Sequence, residues 1–212
     1  EAGCGAGRIL RYYHERGYDI TGIDFIEVAI EKLRDADSTL KVETGDITKL
    51  RFPDGTFRYL LAFGLYHNLE HDLDKAIDES WRVLSGGGRL CASFRADNLQ
   101  TWLTDWLADR KSRRIGETTG SSFHKCNLTR REFTALFERA GFVVESVGPV
   151  ENMPILYKFA FFRARDHKKF DENKARAEGY RLSMFGQWLQ HLLMRHFPDQ
   201  FCNIYVMIAR KP

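Results

Sequence analysis

Strand-like and helix-like segments alternate through the first 94 residues, and no other feature of the sequence constrains the fold as strongly. Amphipathic helix patterns, in which apolar residues recur every three or four positions, cover residues 7–16, 26–33 and 73–84. Strand patterns cover residues 19–24, 39–43, 59–63 and 89–94. Glycines 86–88 are predicted to end the third helix. This alternation favours an α/β fold with a doubly wound, mostly parallel sheet.

A glycine-rich turn opens the chain with the residues Glu1-Ala2-Gly3-Cys4-Gly5-Ala6-Gly7-Arg8. Such a turn normally follows a buried strand, so we expect a strand ahead of Glu1, outside this sequence. A chain without that strand is expected to be only marginally stable. Gly3 and Gly5 let the backbone approach a ligand closely. Asp24, which ends the first strand pattern, is placed to accept hydrogen bonds from the ribose hydroxyls of an adenosine.

Two details of the turn distinguish a nicotinamide dinucleotide from other adenosine-containing ligands. The spacing is G-x-G-x-G, and Arg8 stands where the dinucleotide fingerprint requires its third glycine. The Glu1 carboxylate at the mouth of the turn would repel a pyrophosphate and attract an ammonium group. A ligand with adenosine, an ammonium and no phosphate fits better, and S-adenosyl-L-methionine is such a ligand.

The sequence resembles the class I S-adenosylmethionine-dependent methyltransferases over residues 1–94, and residues 129–147 and 203–209 are similar to the family's last helix and strands. The stretches that carry the resemblance are E-A-G-C-G-A-G-R at 1–8, G-I-D-F at 22–25, G-D-I at 45–47, F-P-D-G-T-F at 52–57, F-G-L-Y-H-N-L at 63–69 and W-R-V-L-S-G-G-G-R-L at 81–90. The resemblance implies a Rossmann-like sheet whose missing first strand is central and whose last strand is antiparallel. Arg58 departs from the family, which usually has Asp there, and we expect this to affect the loop rather than cofactor binding.

The resemblance also implies which residues hold the methionine and ribose parts of the cofactor. Glu1 and the backbone of Gly3 and Gly5 would hold the methionine part. Asp24 would bind the ribose.

Four further residues are implied around the adenine ring and the sulfonium. Phe25 would lie beside the adenine, Asp46 would accept a hydrogen bond from its amino group, and Ile47 would pack on the ring. Phe63, at the end of the strand pattern at 59–63, would lie under the cofactor near its sulfonium. Two alternatives stay open: Asp46 could simply cap a turn, and Phe25 and Ile47 could be ordinary core residues.

Tyr66 and His67 follow the strand pattern at 59–63 and are predicted to line the junction between cofactor and acceptor. The tyrosine ring could stabilise the sulfonium by a cation–π contact, and His67 could take a proton from the acceptor. The alternative for His67 is a bond to a backbone carbonyl. Residues 67–71 also match the H-x-x-E-H pattern of zinc proteases. A position directly after a buried strand, without a third acidic ligand, argues against zinc, so we expect no metal.

Acceptor specificity is expected in the second half of the chain. We predict a core over 1–150 with a substrate insertion at about 97–127, a helical cap at 151–200 and a last core strand at 201–212. Aromatic residues with a few polar groups indicate a small or medium organic acceptor under a lid. The candidate acceptor residues, each of which could instead serve packing, are Arg95, Asn98, Trp102, His124, Tyr157 and Phe161.

Composition excludes several other classes of protein. Lys and Arg total 32 against 29 Asp and Glu, a net charge of +3 that is too balanced for a dedicated nucleic-acid binder. We interpret the basic stretches at 110–114 and 163–181 as solvated faces. The four cysteines lack metal-ligand spacing, which favours a reduced, cytoplasmic chain. No apolar run approaches the roughly 20 residues of a membrane-spanning helix. The sequence leaves the oligomeric state open.

These observations together predict an enzyme that transfers a methyl group from S-adenosyl-L-methionine to a small or medium organic acceptor by in-line displacement. An RNA or protein methyltransferase is the alternative among enzymes, although an open basic groove would suit a polymer better than an aromatic cap. A protein that binds the cofactor without catalysis is the alternative from another class.

Overall fold

The structure is a computed structural model that describes residues 1–115, 126–150, 152–167, 169 and 179–212, with side chains described to residue 108 within the first range. The chain divides into two compact units, which are described separately. Unit 1 comprises Glu1–Phe94, Arg131–Val147 and Val206–Pro212. Unit 2 comprises Arg95–Arg130 and Gly148–Tyr205.

The strands form two sheets. In chain order they are β1 Thr21–Asp24, β2 Lys41–Thr44, β3 Phe57–Ala62, β4 Leu84–Arg95, β5 Val143–Pro149 and β6 Ile204–Arg210. Strands β1 and β2 pair in parallel as a two-stranded sheet. The other sheet has the order β3-β4-β6-β5, in which β3 and β4 are parallel. The predicted α/β fold with a mostly parallel open sheet is therefore confirmed.

The end of the chain runs antiparallel to β4. In unit 1, the Lys211 amide donates to the Gly88 carbonyl at 2.9 Å, and the Gly87 amide donates to the Lys211 carbonyl at 3.0 Å. In unit 2, the Ala96 amide donates to the Asn203 carbonyl at 3.1 Å. Residue numbers that rise on one strand while they fall on the other identify antiparallel pairing, as expected for the last strand.

Glycines 86–88 do not end a helix, so that prediction was wrong. They lie inside β4, which begins at Leu84 directly after the third helix. The backbone of Gly87 has φ +75°, and the pairing of β3 with β4 shifts register between Phe57 and Tyr59. Glycine allows this irregular strand start because it tolerates a positive φ.

The first residues of the chain join β1 to β3 within unit 1. The Ala2 amide donates to the Leu61 carbonyl at 2.8 Å, while the Ile23 amide donates to the Glu1 carbonyl at 2.9 Å. A cavity of about 390 Å³ extends between the two strands. Its lining is mostly apolar and includes Tyr13, Ile20, Leu50, Phe57, Leu60 and Val83.

Helices flank the strands. The α-helices of the described residues are, in chain order, α1 Arg8–His14, α2 Glu27–Ala36, α3 Leu73–Val83, α4 Leu99–Ile115, α5 Arg130–Arg139, α6 Pro154–Lys158, α7 Met184–His196 and α8 Pro198–Phe201. The glycine turn and the first two helices share a buried cluster of apolar residues: Cys4, Leu10, Ile30, Leu33, Leu40 and Val42. Burial raises the pKa of the Cys4 thiol to about 12, so Cys4 acts as a small apolar core residue.

The regular structure of the described residues of unit 2 is mostly helical. Asn98 caps α4, because its Oδ1 accepts a hydrogen bond from the Thr101 amide at 3.0 Å. Ser183 caps α7 in the same way through the Gly186 amide at 3.2 Å. Two 3₁₀ turns, Ala160–Phe162 and Arg165–His167, connect α6 to the later helices. Helices are present among the described residues of 151–200, while the predicted cap and its boundaries stay a prediction.

We predict that Gly186→Ala destabilises the protein, although alanine is normally more favourable than glycine inside a helix by about 1 kcal/mol. Gly186 is buried in α7, and a Cβ there would lie 2.7 Å from the Phe162 carbonyl oxygen. That carbonyl is held by the Ser183 amide at 2.7 Å, so the backbone cannot yield without losing this bond. Overpacking costs about 1–3 kcal/mol. Urea denaturation should show a lower free energy of unfolding for Gly186→Ala. An unchanged or higher denaturation midpoint would contradict this prediction.

Candidate active site

The glycine turn is tight on one side and open on the other. Gly3, Gly5 and Gly7 have φ values of +68°, +49° and +72°, a backbone region that side chains with a Cβ rarely adopt. A Cβ at Gly3 would lie 3.0 Å from Leu65 Cδ1, whereas a Cβ at Gly5 would meet nothing within 4 Å. The backbone of Gly5 therefore borders free space that a ligand could fill.

Asp24 and the glycine turn form one hydrogen-bonded unit. Asp24 ends β1, and its Oδ2 accepts a hydrogen bond from the Gly5 amide at 2.8 Å. Its Oδ1 accepts from the Ile26 amide at 2.9 Å. Each carboxylate oxygen has two lone pairs, so both oxygens retain one acceptor site for hydroxyl groups. Asp24 is thus held rigidly in place and is still able to bind a ribose.

The Glu1 carboxylate is partly buried and incompletely paired. Its Oε2 is buried and has no hydrogen-bond partner in the described part of the chain. Burial raises the pKa of the Glu1 carboxyl above its usual value. A buried carboxylate without a partner is unfavourable, and a ligand ammonium would relieve that cost. This oxygen fits the amino group of S-adenosyl-L-methionine.

The residues predicted near the adenine lie next to Asp24, because the Gly45 amide donates to the Asp24 carbonyl at 3.0 Å. Asp46 Oδ1 accepts from both the amide and the hydroxyl of Thr48, at 2.8 and 2.9 Å. Asp46 therefore caps a turn, as the alternative interpretation proposed. Its Oδ2 makes no hydrogen bond among the described residues, and the residue is exposed, so a ligand can reach this oxygen. Ile47 is buried, whereas Phe25 is 76% exposed and is not a core residue.

Phe63 and His67 follow β3. Phe63 is half-buried, and the next amide, that of Gly64, donates to Ser93 Oγ at 2.9 Å. His67 lies in the 3₁₀ turn Tyr66–Asn68, is 7% exposed and packs edge-on against the Phe94 ring with centroids 6.0 Å apart. The prediction that His67 takes a proton from the acceptor stays a prediction.

Tyr66 does not line an open site, and the predicted contact of its ring with a sulfonium is corrected. The side chain is fully buried and packs edge-to-face against Phe137, with centroids 5.5 Å apart. Its hydroxyl lies 2.8 Å from Ser80 Oγ, and Ser80 in turn donates to the Ala76 carbonyl. Burial raises the pKa of Tyr66. Tyr66 belongs to the core because its neighbours on α3 and α5 provide both a hydrogen bond and an aromatic surface.

The H-x-x-E-H segment does not form the helix that zinc binding would require. Residues 66–68 form a single 3₁₀ turn, and His67 is buried while His71 is exposed. The two imidazoles therefore do not share a helix face. In the part of the chain that the structure describes, no group of three His, Cys, Asp or Glu residues could hold a metal ion.

Two of the predicted acceptor residues in unit 2 are held by internal contacts. Arg95 donates to Asp105 Oδ1 at 2.7 Å. Asn98 caps α4, and its amide nitrogen donates to the carbonyls of Asp199 and Cys202 at 2.9 and 2.8 Å. Asn98 therefore anchors α8 to α4, and its side chain is fully used within unit 2.

The other predicted acceptor residues differ in their exposure. Trp102 is 60% exposed and Phe161 is 74% exposed. Tyr157 is buried, and its hydroxyl lies 2.8 Å from Nδ1 of His167, which is also buried. Its polar atom thus serves an internal contact rather than an open surface. His124 lies outside the described residues.

Gln100 is a candidate that the sequence analysis missed. It lies in the first turn of α4 and is 1% exposed, yet neither its amide oxygen nor its amide nitrogen has a hydrogen-bond partner among the residues that the structure describes. The same holds for the buried hydroxyl of the neighbouring Thr101. Buried polar groups are nearly always paired, so these two side chains can receive a polar ligand or a water molecule. No local motif marks a glutamine at such a position.

The fold defines an α/β protein with a Rossmann-like core, and residues 1–92 match the family described as methyltransferase domain. Among solved structures, an S-adenosylmethionine-dependent methyltransferase from Methanosarcina mazei aligns with a TM-score of 0.65 and 18% identity, covering 99% of this chain and 90% of that one. This likeness confirms the fold.

Two curated relatives have different acceptors in their names. The human eEF1A lysine and N-terminal methyltransferase is 31% identical over 106 residues, which are 43% of this chain and 15% of that protein. The malonyl-[acyl-carrier protein] O-methyltransferase of Salmonella typhimurium is 31% identical over 108 residues, 48% of this chain and 42% of that protein. The chain thus spans less than half the length of these relatives. Residues 1–92 thus match a methyltransferase domain, and the solved structures that the fold resembles include S-adenosylmethionine-dependent methyltransferases, a likeness that implies S-adenosyl-L-methionine as the cofactor.

Proposed function

We propose that this protein transfers a methyl group from S-adenosyl-L-methionine to a small or medium organic acceptor. The buried Glu1 Oε2 beside a glycine turn that is bonded to Asp24 is the observation that carries the proposal. The Glu1 carboxylate would bind the ammonium group of the cofactor, and the Asp24 carboxylate, held by the turn, would bind the two ribose hydroxyls. A pyrophosphate would find the Glu1 carboxylate repulsive at the same place.

The protein's residues act mainly by positioning. The bound cofactor supplies a methyl group that is already activated on a sulfonium. In-line transfer would form the bond from the acceptor atom to the methyl carbon as the carbon–sulfur bond breaks, with that electron pair left on the sulfur. Glu1, the Gly5 backbone and Asp24 would fix both ends of the cofactor, and alignment can lower the barrier by about 7–11 kcal/mol. Where the acceptor has a proton to lose, we assign its removal to His67.

Acceptor recognition is assigned to unit 2. Trp102 and Phe161 supply exposed aromatic surface, while the unpaired amide of Gln100 supplies a polar contact. A few polar groups within an aromatic surface suit a compact organic acceptor. The side chain of Arg95 is 85% buried and forms an ion pair with Asp105. Its guanidinium group would suit an acceptor that carries a negative group.

Isothermal titration calorimetry tests the cofactor assignment. S-adenosyl-L-methionine should release or absorb heat with a 1:1 stoichiometry, and NAD should give none, because the turn lacks the third glycine and holds a carboxylate. Binding of NAD without binding of S-adenosyl-L-methionine would overturn the assignment.

A transfer assay with labelled methyl donor tests the acceptor class. The protein is incubated separately with a small-molecule extract and with the protein fraction of the same cells. We expect label in the small-molecule products, with formation of S-adenosylhomocysteine in equal amount. Label found in polypeptides instead would favour the protein methyltransferase alternative, to which the similarity with the human lysine methyltransferase lends support. Cofactor binding with no transfer to either fraction would favour a non-catalytic binding protein.

A further inference from the structure

Helix α7 exposes an apolar stripe to solvent. Met184 is 89% exposed, Trp188 is 57% exposed and Leu192 is 38% exposed. Spacings of four residues place these three side chains on one face of the helix. The opposite face is the buried one, and it includes Gly186 and Met194. The helix thus presents apolar side chains at the centre of its exposed face, where a helix of a globular protein normally has polar residues.

Aromatic rings extend this stripe beyond the helix. The Phe185 ring stacks on Trp188 with centroids 5.6 Å apart, and it contacts the Phe161 ring at 5.7 Å. Phe161 is 74% exposed and Phe185 is 48% exposed. These five side chains, Met184, Phe185, Trp188, Leu192 and Phe161, are called the α7 apolar face. A contiguous exposed patch of large apolar side chains indicates an interaction surface.

The charge on α7 is positive. The 13 residues of α7 include no Asp or Glu. Arg195 lies three residues after Leu192 and seven after Trp188, so it shares their side of the helix. Arg195 and Arg165 are exposed, and neither forms an ion pair with any residue that the structure describes. The nearby Asp166 is already paired with Arg181 at 3.0 Å.

Aromatic and aliphatic side chains flanked by unpaired arginines are complementary to an anionic lipid surface. Trp and Phe rings favour the boundary between headgroups and acyl chains. Each Arg near an anionic membrane surface adds further attraction. A second copy docked through the same helix offers no such complement, because α7 has no carboxylate to pair with the partner's arginines.

We propose that the α7 apolar face docks this protein on the surface of membranes that contain anionic lipids. The helix lies in the interface with Trp188 and Phe161 at headgroup depth and with Arg195 among the lipid phosphates. This is a peripheral contact: no helix in the described parts of the chain is both long enough and apolar enough to cross a bilayer. The inference rests on no residue of the glycine-turn site. It shares Phe161 with the surface proposed for acceptor recognition, and vesicle binding without cofactor or acceptor tests it separately.

Vesicle sedimentation tests the proposal with the full chain. Vesicles of phosphatidylcholine alone are compared with vesicles in which about one lipid in three is the anionic lipid phosphatidylglycerol. We expect the protein to sediment with the anionic vesicles at low salt, and to be released as added salt screens the arginines. Equal partition onto neutral vesicles, or no partition at low salt, would overturn the proposal.

Variants locate the surface. Trp188→Ala and Arg195→Gln should each lower the partition coefficient by about fivefold. Trp102→Ala is the matched control, because Trp102 is a tryptophan of unit 2 with nearly the same exposure, and it should change partition little. Met184→Ser, at a side chain that is 89% exposed, should lower binding with little effect on folding. Equal effects of Trp188→Ala and Trp102→Ala would contradict the assigned face. A second contradicting outcome is that light scattering shows a dimer, that Trp188→Glu dissociates this dimer, and that the protein does not bind vesicles.

Discussion

Replacing Asp24 by Ala is expected to weaken binding of S-adenosyl-L-methionine by about 5- to 150-fold, which corresponds to roughly 1–3 kcal/mol of lost hydrogen bonding. Two effects contribute. The carboxylate would no longer accept from the ribose hydroxyls, and the Gly5 amide, now bonded to Asp24 Oδ2 at 2.8 Å, would lose its partner. The turn would then be less rigid when the cofactor arrives, so the ordering cost of binding would rise. Calorimetry gives the dissociation constants directly.

The matched control for this prediction is Asp35→Ala. Asp35 is an exposed carboxylate on α2 that makes no hydrogen bond or ion pair in the described chain, and its removal changes the net charge equally. Cofactor affinity should stay within about twofold of the unsubstituted protein. Asp24→Asn adds a second comparison, because the amide keeps one acceptor oxygen and should retain part of the affinity. An affinity for Asp24→Ala equal to that of Asp35→Ala would remove Asp24 from the site.

The fold of unit 1 could be predicted from the sequence because local patterns determine it. The periodicity of residues 73–84 predicts a helix, and α3 covers Leu73–Val83. The apolar run at 59–63 predicts a strand, and β3 covers Phe57–Ala62. Glycines 86–88 are different: their conformation depends on Lys211, which is more than 120 positions away in the sequence. A pairing over that distance leaves no local signal.

The candidate site was only partly predictable, for a similar reason. Asp24 and the glycine turn lie at the ends of short, regular elements, so the backbone brings them within 2.8 Å of each other. Tyr66 lies one residue before His67, yet its ring turns into the core because Ser80 and Phe137 provide it with a polar and an aromatic partner. Side-chain direction after a strand depends on such distant packing partners. Gln100 could not be found in advance, because an unpaired amide is a property of its surroundings.

Gly7→Ala is expected to lower the free energy of unfolding by about 2–5 kcal/mol, the largest loss among the substitutions considered. Gly7 has φ +72°, and a side chain in that region costs about 1–2 kcal/mol. An added Cβ would also lie 2.6 Å from Leu33 Cδ2. Leu33 is 2% exposed within the buried cluster that includes Leu10 and Ile30, so its methyl group has no free space into which to move. The clash adds a further overpacking cost of about 1–3 kcal/mol.

Gly17→Ala separates these two costs. Gly17 has φ +78°, nearly the same backbone conformation, but a Cβ there would meet no atom within 4 Å. Its loss of stability should therefore equal the backbone cost alone, and the difference between the two variants in urea denaturation should equal the cost of the Leu33 clash. Equal losses for Gly7→Ala and Gly17→Ala would show that the core around Leu33 yields freely. The packing that holds the glycine turn against α2 would then contribute little to the rigidity that we assign to the cofactor site.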